Sequence, residues 1–274
     1  MRPPLSKDTR LCMSLSGRPG SFGTRFHNHL YDQLRLDLLY KAFTTTNLPA
    51  AIGGVRALGI RGCAVSMPFK EDVIALVDEL HPSAEVIASV NTIVNDDGHL
   101  RAFNTDFIAV ATLLREREVP TGAPVLLRGS GGMAKAVAHA LREGGFRTGT
   151  VVARNATAGR ALADGAGFDW AAETPAVGGP APVLVNATPI GMEGGDESRD
   201  LPFPAELVDG AAAVFDVVAL PPETPLVLRA RAAGVPVITG AEVMVLQAVE
   251  QFVLYTGVRP TDEQVAAAAA HARG

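Results

Sequence analysis

The chain has 274 residues, a length that suits two ordinary domains or one large α/β unit with a substantial core. Hydrophobic residues make up 47% and aromatics only 5%, with 28 glycines, which favours helices packed closely on a sheet over an aromatic-rich β-sandwich. The formal net charge of −5 argues against a nucleic acid or an anionic membrane as the main partner.

The opening MRPPLSKDTR is basic, but the run after it is too short and broken for a signal sequence. No stretch reaches membrane-spanning length without a charge or a Gly/Pro break, so a cytoplasmic protein is expected. Cys12 and Cys63 lie in apolar contexts without CxxC spacing and read as buried free thiols, with no disulfide and no metal site. GCAVSMPFK (62–70) reads as a strand stopped by Pro68, with Lys70 just beyond the point where the strand opens to a cleft. EDVIALVDEL (71–80) places Val73, Val77 and Leu80 at i, i+4 and i+7 with acids in the first turn, and predicts a helix. VNTIV (90–94) and HLRAF (99–103) read as strands joined by a turn at Asp96, Asp97 and Gly98. FIAVATLLRERE (107–118) predicts a helix capped by Thr105 or Asp106. Pro120, Gly122 and Pro124 form the clearest linker, and the alanines at 266–270 continue a helical C-terminus.

APVLLRGSGGMAKAVAHAL (123–141) carries the most interpretable physics. A strand over Val125–Leu127 runs into Gly129, Ser130, Gly131 and Gly132, then a helix with Met133, Val137 and Leu141 on one face. Glycines let the backbone turn tightly and approach a pyrophosphate, whose charge the helix N-terminus stabilises. Ala134 takes the small-residue position where helix packs on strand. The next strand, TVVARN (150–155), ends in Arg154 and lacks the acid that would bind a ribose 2′-hydroxyl, which predicts NADP over NAD. VLVNATPIGM (183–192) ends its strand at Asn186-Ala187-Thr188-Pro189, followed by Met192, and VFDVVALPPETPL (214–226) ends at Val217 and Val218. Ligands of open α/β sheets lie at the carboxyl ends of strands, so all four loops are expected to face one crevice.

Taken in order, FHN (26–28), AVSMPFK (64–70), SVNTIV (89–94), FNTD (103–106), GSGGMAKA (129–136), ARN (153–155), NATPIGM (186–192), FDVVALP (215–221) and GAEVMVLQAVEQF (240–252) resemble the shikimate dehydrogenase family across nearly the whole chain. The resemblance implies an α/β protein of two domains. An N-terminal αβα substrate domain (1–106) would be completed by the C-terminal helices (239–274), around a Rossmann NADP-binding domain (107–238). It also implies hydride exchange between NADP and a ring hydroxyl of a shikimate- or quinate-like acid, and a place in aromatic amino acid biosynthesis. Lys70 and Asp106 match the family's catalytic pair. Independently of the name, oxidising an alcohol requires removal of its hydroxyl proton, so a base must lie within hydrogen-bond reach. By similarity Ser21, Ser66, Asn91 and Gln247 complete the polyol-binding wall, and the cofactor contacts extend from Gly129–Ala134 and Arg154 to Asn186, Thr188, Met192 and Val217. Gln247 shares a helical face with Glu250 and Gln251, which by spacing alone reads as a solvated face.

The carboxylate end of the site departs from the family pattern. The family's serine-rich SxSPxxHN loop maps onto Ser21-Phe22-Gly23-Thr24, keeping the first serine and replacing the second by Gly23. Ala64, Ser66 and Ala219 also replace the expected asparagine, threonine and tyrosine. Two lost hydroxyl contacts, at roughly 1.5–3 kcal/mol each, would weaken shikimate capture by about two to four powers of ten. This resembles the shikimate dehydrogenase-like branch of the family, with the reaction type kept and shikimate used poorly. Arg18 is an alternative partner for an anionic group, although an exposed loop arginine is the commoner case. A non-catalytic NADP-binding sensor is the alternative reading, and retention of both Lys70 and Asp106 argues against it. A folate-interconverting dehydrogenase fits the motifs poorly. A small-molecule substrate is expected, with no nucleic acid or membrane partner, in a monomer or homodimer.

Overall fold

The computed structural model describes residues 2–176 and 178–274. Strand β1 (Arg10–Leu15) leads to helix α1 (Phe22–Leu34), β2 (Leu38–Phe43), α2 (Leu48–Ala57) and β3 (Gly62–Val65). A short 3-10 helix (Asp72–Leu76) follows, then β4 (Glu79–Leu80), α3 (Pro82–Glu85), β5 (Thr92–Asp96) and β6 (His99–Phe103). Helix α4 (Thr105–Glu116) precedes β7 (Val125–Arg128), α5 (Gly132–Glu143), β8 (Gly149–Val152), α6 (Ala156–Ala166) and β9 (Asp169–Ala171). The chain continues through β10 (Val183–Asn186), α7 (Ala205–Asp209), β11 (Ala213–Asp216), α8 (Pro225–Ala232) and β12 (Val237–Thr239). It closes with α9 (Gly240–Thr256) and α10 (Asp262–Arg273). Residue contacts divide it into two units: the chain up to Thr105 together with Val245–Gly274, and Asp106–Met244. No helix among the described residues is long and apolar enough to cross a membrane.

The first unit is a mixed sheet in the order β2-β1-β3-β5-β6-β4. Period-two alternation along β1 sends Cys12 to one face and Met13 and Leu15 to the other. On the Cys12 face, Phe26, Leu30 and Tyr31 of α1 pack with Tyr40 of β2, Phe252 and Tyr255 of α9, and Ala268, Ala269 and Ala272 of α10. On the other face, Ile52 and Val55 of α2 pack on Cys63, Val65, Ile93 and Leu100. The sheet therefore has helices on both sides. The β5–β6 hairpin turns at Asp97 and Gly98, with φ of 52° and 95°, the paired positive values that match strand twist in a two-residue turn. Cys12 and Cys63 are free buried thiols; burial pushes them up to about 11 and about 12, leaving them protonated and unreactive at neutral pH.

The helix expected over 71–80 is not formed. Only Asp72–Leu76 coils, as a 3-10 turn, and Val77 is extended at φ −108° and ψ 164°. The reason is tertiary. The Asp78 carboxylate accepts a hydrogen bond from the Leu100 amide at 2.7 Å and pairs with Arg56, and Glu79 and Leu80 then join β6. The apolar periodicity is real, but sheet pairing overrides it. Helix α4 also starts two residues earlier than expected, so Thr105 and Asp106 occupy its first turn.

The second unit carries an all-parallel sheet in the order β12-β11-β10-β7-β8-β9. Strands wind outward in both directions from the β7–β10 pair, which is the doubly wound Rossmann order. Two loops therefore leave in opposite directions from adjacent strand ends, at Arg128 and Asn186, and open a crevice there. Strand β11 ends at Asp216, just before the Val217-Val218 end expected from the sequence.

Candidate cofactor and substrate sites

At the carboxyl edge of the parallel sheet lies a cavity of about 450 Å³. Its walls come from Arg128–Gly131 after β7, Val152–Asn155 after β8, Ala172 after β9, Ala187–Ile190 after β10, and Glu197. Gly129 holds φ at +120°, and a Cβ there would lie 2.6 Å from the Ala187 carbonyl oxygen, so the two loops can approach this closely only at glycine. Gly131 and Gly132 have nothing within 4 Å of such a Cβ, so their backbone is bare towards the space in front of it. Gly131 precedes α5 without a capping side chain, and the first amides of that helix point out of its N-terminus. Ala134 is fully buried where α5 meets the sheet. A close backbone turn, open amides and a wide cavity beside them fit a dinucleotide.

Of the residues expected at the cofactor, Gly129, Ser130, Gly131, Arg154 and Thr188 line this cavity. Gly132, Met133 and Ala134 form the first turn of α5. Three of the four expected loops, those after β7, β8 and β10, line the cavity, with Ala172 after β9 in addition; Val217 and Val218 are absent from its walls, as is Met192. Asn186 differs from expectation in its role. Its side chain is fully buried and donates to the Ile190 carbonyl and to Asp216 Oδ1, both at 3.0 Å, while Oδ1 accepts from the Thr188 amide at 3.1 Å and the Thr188 hydroxyl at 2.6 Å. It shapes the cavity wall from behind. Arg128, Asn155 and Glu197 are cavity residues the sequence reading missed. Arg128 was detectable as a charge placed directly before the glycine turn.

In the first unit, Asn91 is 3% exposed, and its Oδ1 accepts from the Thr105 amide at 2.8 Å, the Thr92 hydroxyl at 2.8 Å and the Thr105 hydroxyl at 3.1 Å. Its Nδ2 makes no hydrogen bond among the described residues. Thr105 also donates to Gln247 Oε1 at 3.3 Å, and Gln251 Nε2 reaches Thr92 Oγ1 at 3.1 Å. Gln251 is buried, so this side of α9 is not the solvated face that spacing alone suggests. The structure thus joins Asn91 and Gln247 through Thr105, with Thr92 and Gln251 as members the sequence reading missed. Ser66 and Ser21 are both exposed; Ser66 lies just past β3, and Ser21 begins α1 with a hydroxyl that does not cap the helix. Gly23 faces the Tyr40 hydroxyl, 3.5 Å from where a Cβ would stand. Lys70 is half-buried, five residues beyond the end of β3 rather than at it, and its carbonyl accepts from the Val90 amide at 2.8 Å. Asp106 is 9% exposed in the first turn of α4, where the helix field favours a carboxylate.

Comparison with known proteins places this arrangement. Residues 20–93 match the family model of the shikimate dehydrogenase substrate binding domain. A shikimate dehydrogenase-like protein of Haemophilus influenzae is 56% identical over 98% of this chain and 98% of its own. The solved structure of a shikimate 5-dehydrogenase-like protein superposes with a TM-score of 0.96 at 55% identity, covering 99% of this chain and 100% of that one. The shikimate 5-dehydrogenase of Thermus thermophilus, solved in complex with NADP(H) and shikimate, superposes with a TM-score of 0.81 at 32% identity, covering 96% of this chain and 99% of the other. With the Rossmann sheet, the glycine turn and near-complete coverage in agreement, the chain belongs to the shikimate dehydrogenase family.

Proposed function

We propose that the chain is an NADP-dependent dehydrogenase interconverting an alcohol and a ketone on a shikimate- or quinate-like cyclic hydroxy acid, with weak use of shikimate itself. The observation that carries this reading is the glycine approach at the switch point of the sheet, in a chain of this family. Residues 107–238 hold the cofactor, and residues 1–106 with 239–274 hold the substrate. Gly129–Gly132 and the α5 N-terminus take the pyrophosphate, and Arg154 takes the 2′-phosphate. Met192 and Val217, outside the cavity walls, are assigned to the nicotinamide end. When bound, the cofactor supplies the hydride acceptor and donor.

The chain's own residues supply the rest. Removing hydride from a carbinol carbon requires that the hydroxyl proton leave as well, and Lys70 and Asp106 handle that proton. Asn91 is engaged through its oxygen, so its amide N–H groups remain to donate to a substrate hydroxyl. Ser21, Ser66 and Gln247 add polyol contacts, while Gly23 offers no hydroxyl to the substrate carboxylate. The test is an NADP+ reduction assay against shikimate, quinate and other cyclic hydroxy acids, with Lys70→Ala and Asp106→Ala alongside. Each substitution is expected to lower kcat by about 10²- to 10⁴-fold. Equal background rates in all three proteins would remove the reading, and tight NADP+ binding with no turnover on any substrate would leave the sensor in its place.

A further inference from the structure

We infer that Arg128 is a second cation for the cofactor's 2′-phosphate, acting across the cavity from Arg154 to select NADP over NAD. The inference rests on the NADP reading above and goes beyond it by naming a residue outside the β8 loop.

Arg128 ends β7, and its guanidinium turns onto the sheet face that carries Phe203, lying 5.6 Å from that ring's centroid. Nη2 donates to the Thr174 hydroxyl at 2.7 Å. Nε is buried without a partner, and Arg128 joins no ion pair among the described residues. Arg128 and Arg154 line the same cavity and feel each other's charge; burial and that repulsion lower the Arg128 pKa, with Glu197 opposing. A half-buried guanidinium with no carboxylate partner and a like charge nearby is unfavourable on its own. It becomes favourable once an anion lies between the two cations. A guanidinium fork suits a phosphate monoester, to which it can donate two parallel hydrogen bonds.

Two features favour the 2′-phosphate over the pyrophosphate. The pyrophosphate already has the open amides of α5 at Gly131, whereas the Nη2 bond to Thr174 carries the Arg128 guanidinium towards the segment that follows β9. In addition, Thr174 and Phe203 hold the Arg128 side chain in place before any ligand arrives, so little rotamer freedom is lost on binding. Among the described residues Glu197 is the one acid on the cavity wall and works against an anion, leaving two cations against one carboxylate.

Calorimetric titration of the full chain with NADP+, NAD+, 2′,5′-ADP and 5′-AMP tests this. Arg128→Met is expected to weaken NADP+ and 2′,5′-ADP by about tenfold to a hundredfold and to leave NAD+ and 5′-AMP unchanged. Arg128→Lys, which keeps the charge and guards against misfolding, should recover part of the loss, and Glu197→Gln should tighten the two 2′-phosphorylated ligands. Equal weakening of all four ligands by Arg128→Met, or no weakening of any, would overturn the role of Arg128 while leaving the NADP reading standing. Wild-type protein that fails to prefer NADP+ over NAD+ would overturn both.

Discussion

Gly129 shows how much a single position can carry. Its φ of +120° and the nearby Ala187 carbonyl mean that any side chain strains the backbone and pushes apart the two loops that open the crevice. Gly129→Ala is expected to cost about 1–3 kcal/mol in urea unfolding and to abolish measurable NADP+ binding; unchanged stability and affinity would refute the argument. His27 offers a different test. It is fully buried, stacked on Tyr40 at 4.4 Å between centroids, with no partner for either ring nitrogen among the described residues. Burial pushes its pKa from 6.5 down to about 3; Gln251 is near enough to oppose the shift but is not in hydrogen-bond geometry with the ring. An unfolded chain therefore takes up a proton below 6.5 that the folded chain refuses until about 3. The stability tied to neutral His27 is fully present above 6.5 and falls with pH towards 3, by up to about 1.4 kcal/mol per pH unit. Urea unfolding between pH 7 and pH 4 should show this extra slope in the wild type and its loss in His27→Phe, which keeps the stacked ring without the desolvated nitrogens. Parallel slopes would exclude it. The glycine turn was legible in the sequence because few letters satisfy its geometry. The role of Asn186 was not, since one amide can line a cavity or brace it from behind, and only burial decides.

At the level of elements, Asp216 ties together three of them. Its carboxylate accepts from Asn186 Nδ2 at 3.0 Å, the Val218 amide at 3.1 Å and the Thr224 hydroxyl at 2.5 Å, so the ends of β10 and β11 and the start of α8 share one acceptor. Burial raises the Asp216 pKa while these three bonds oppose the rise, the balance expected of an enclosed and well-satisfied carboxylate. Asp216→Ala would leave three donors without an acceptor and free Asn186 to let the Thr188–Ile190 wall shift. The expected cost is about 2–4 kcal/mol of stability, together with weaker NADP+ binding. A stability loss with cofactor affinity intact would show that this wall does not depend on Asp216. The βα alternation and the Rossmann half were legible in the sequence because short apolar runs punctuated by glycine and proline are local signals. The 71–80 segment misleads for the converse reason: its partner is Leu100 on β6, a contact that no helical period records.

For the molecule as a whole, the first unit needs both ends of the chain. Arg61 donates to the Tyr255 carbonyl at 3.0 Å and pairs with Asp96, fastening β3 to the end of α9 and to the β5–β6 hairpin. Tyr255 lies flat over Gly62, where any Cβ would collide with its ring. Amphipathic periodicity says that α9 and α10 bury a face, but not on which of two sheets. Only the family resemblance pointed back to the N-terminal one, and the packing of Phe252, Tyr255 and the α10 alanines on α1 and β2 is what seats them there. A chain truncated after Met244 therefore leaves α1 as the one helix on that face of the first sheet and uncovers Phe26, Tyr31 and Tyr40. The second unit keeps its own core of Leu126, Leu184, Phe203, Val214 and Leu226. Amide hydrogen exchange on the truncated chain should show β1, β2 and β3 losing protection while β7, β8 and β10 retain it. NADP+ affinity should fall far less than the protection of the first sheet. Undiminished protection of β1–β3 would mean that α1 and the α2 layer hold that sheet without α9 and α10, and uniform loss across both sheets would mean that the two units do not fold independently.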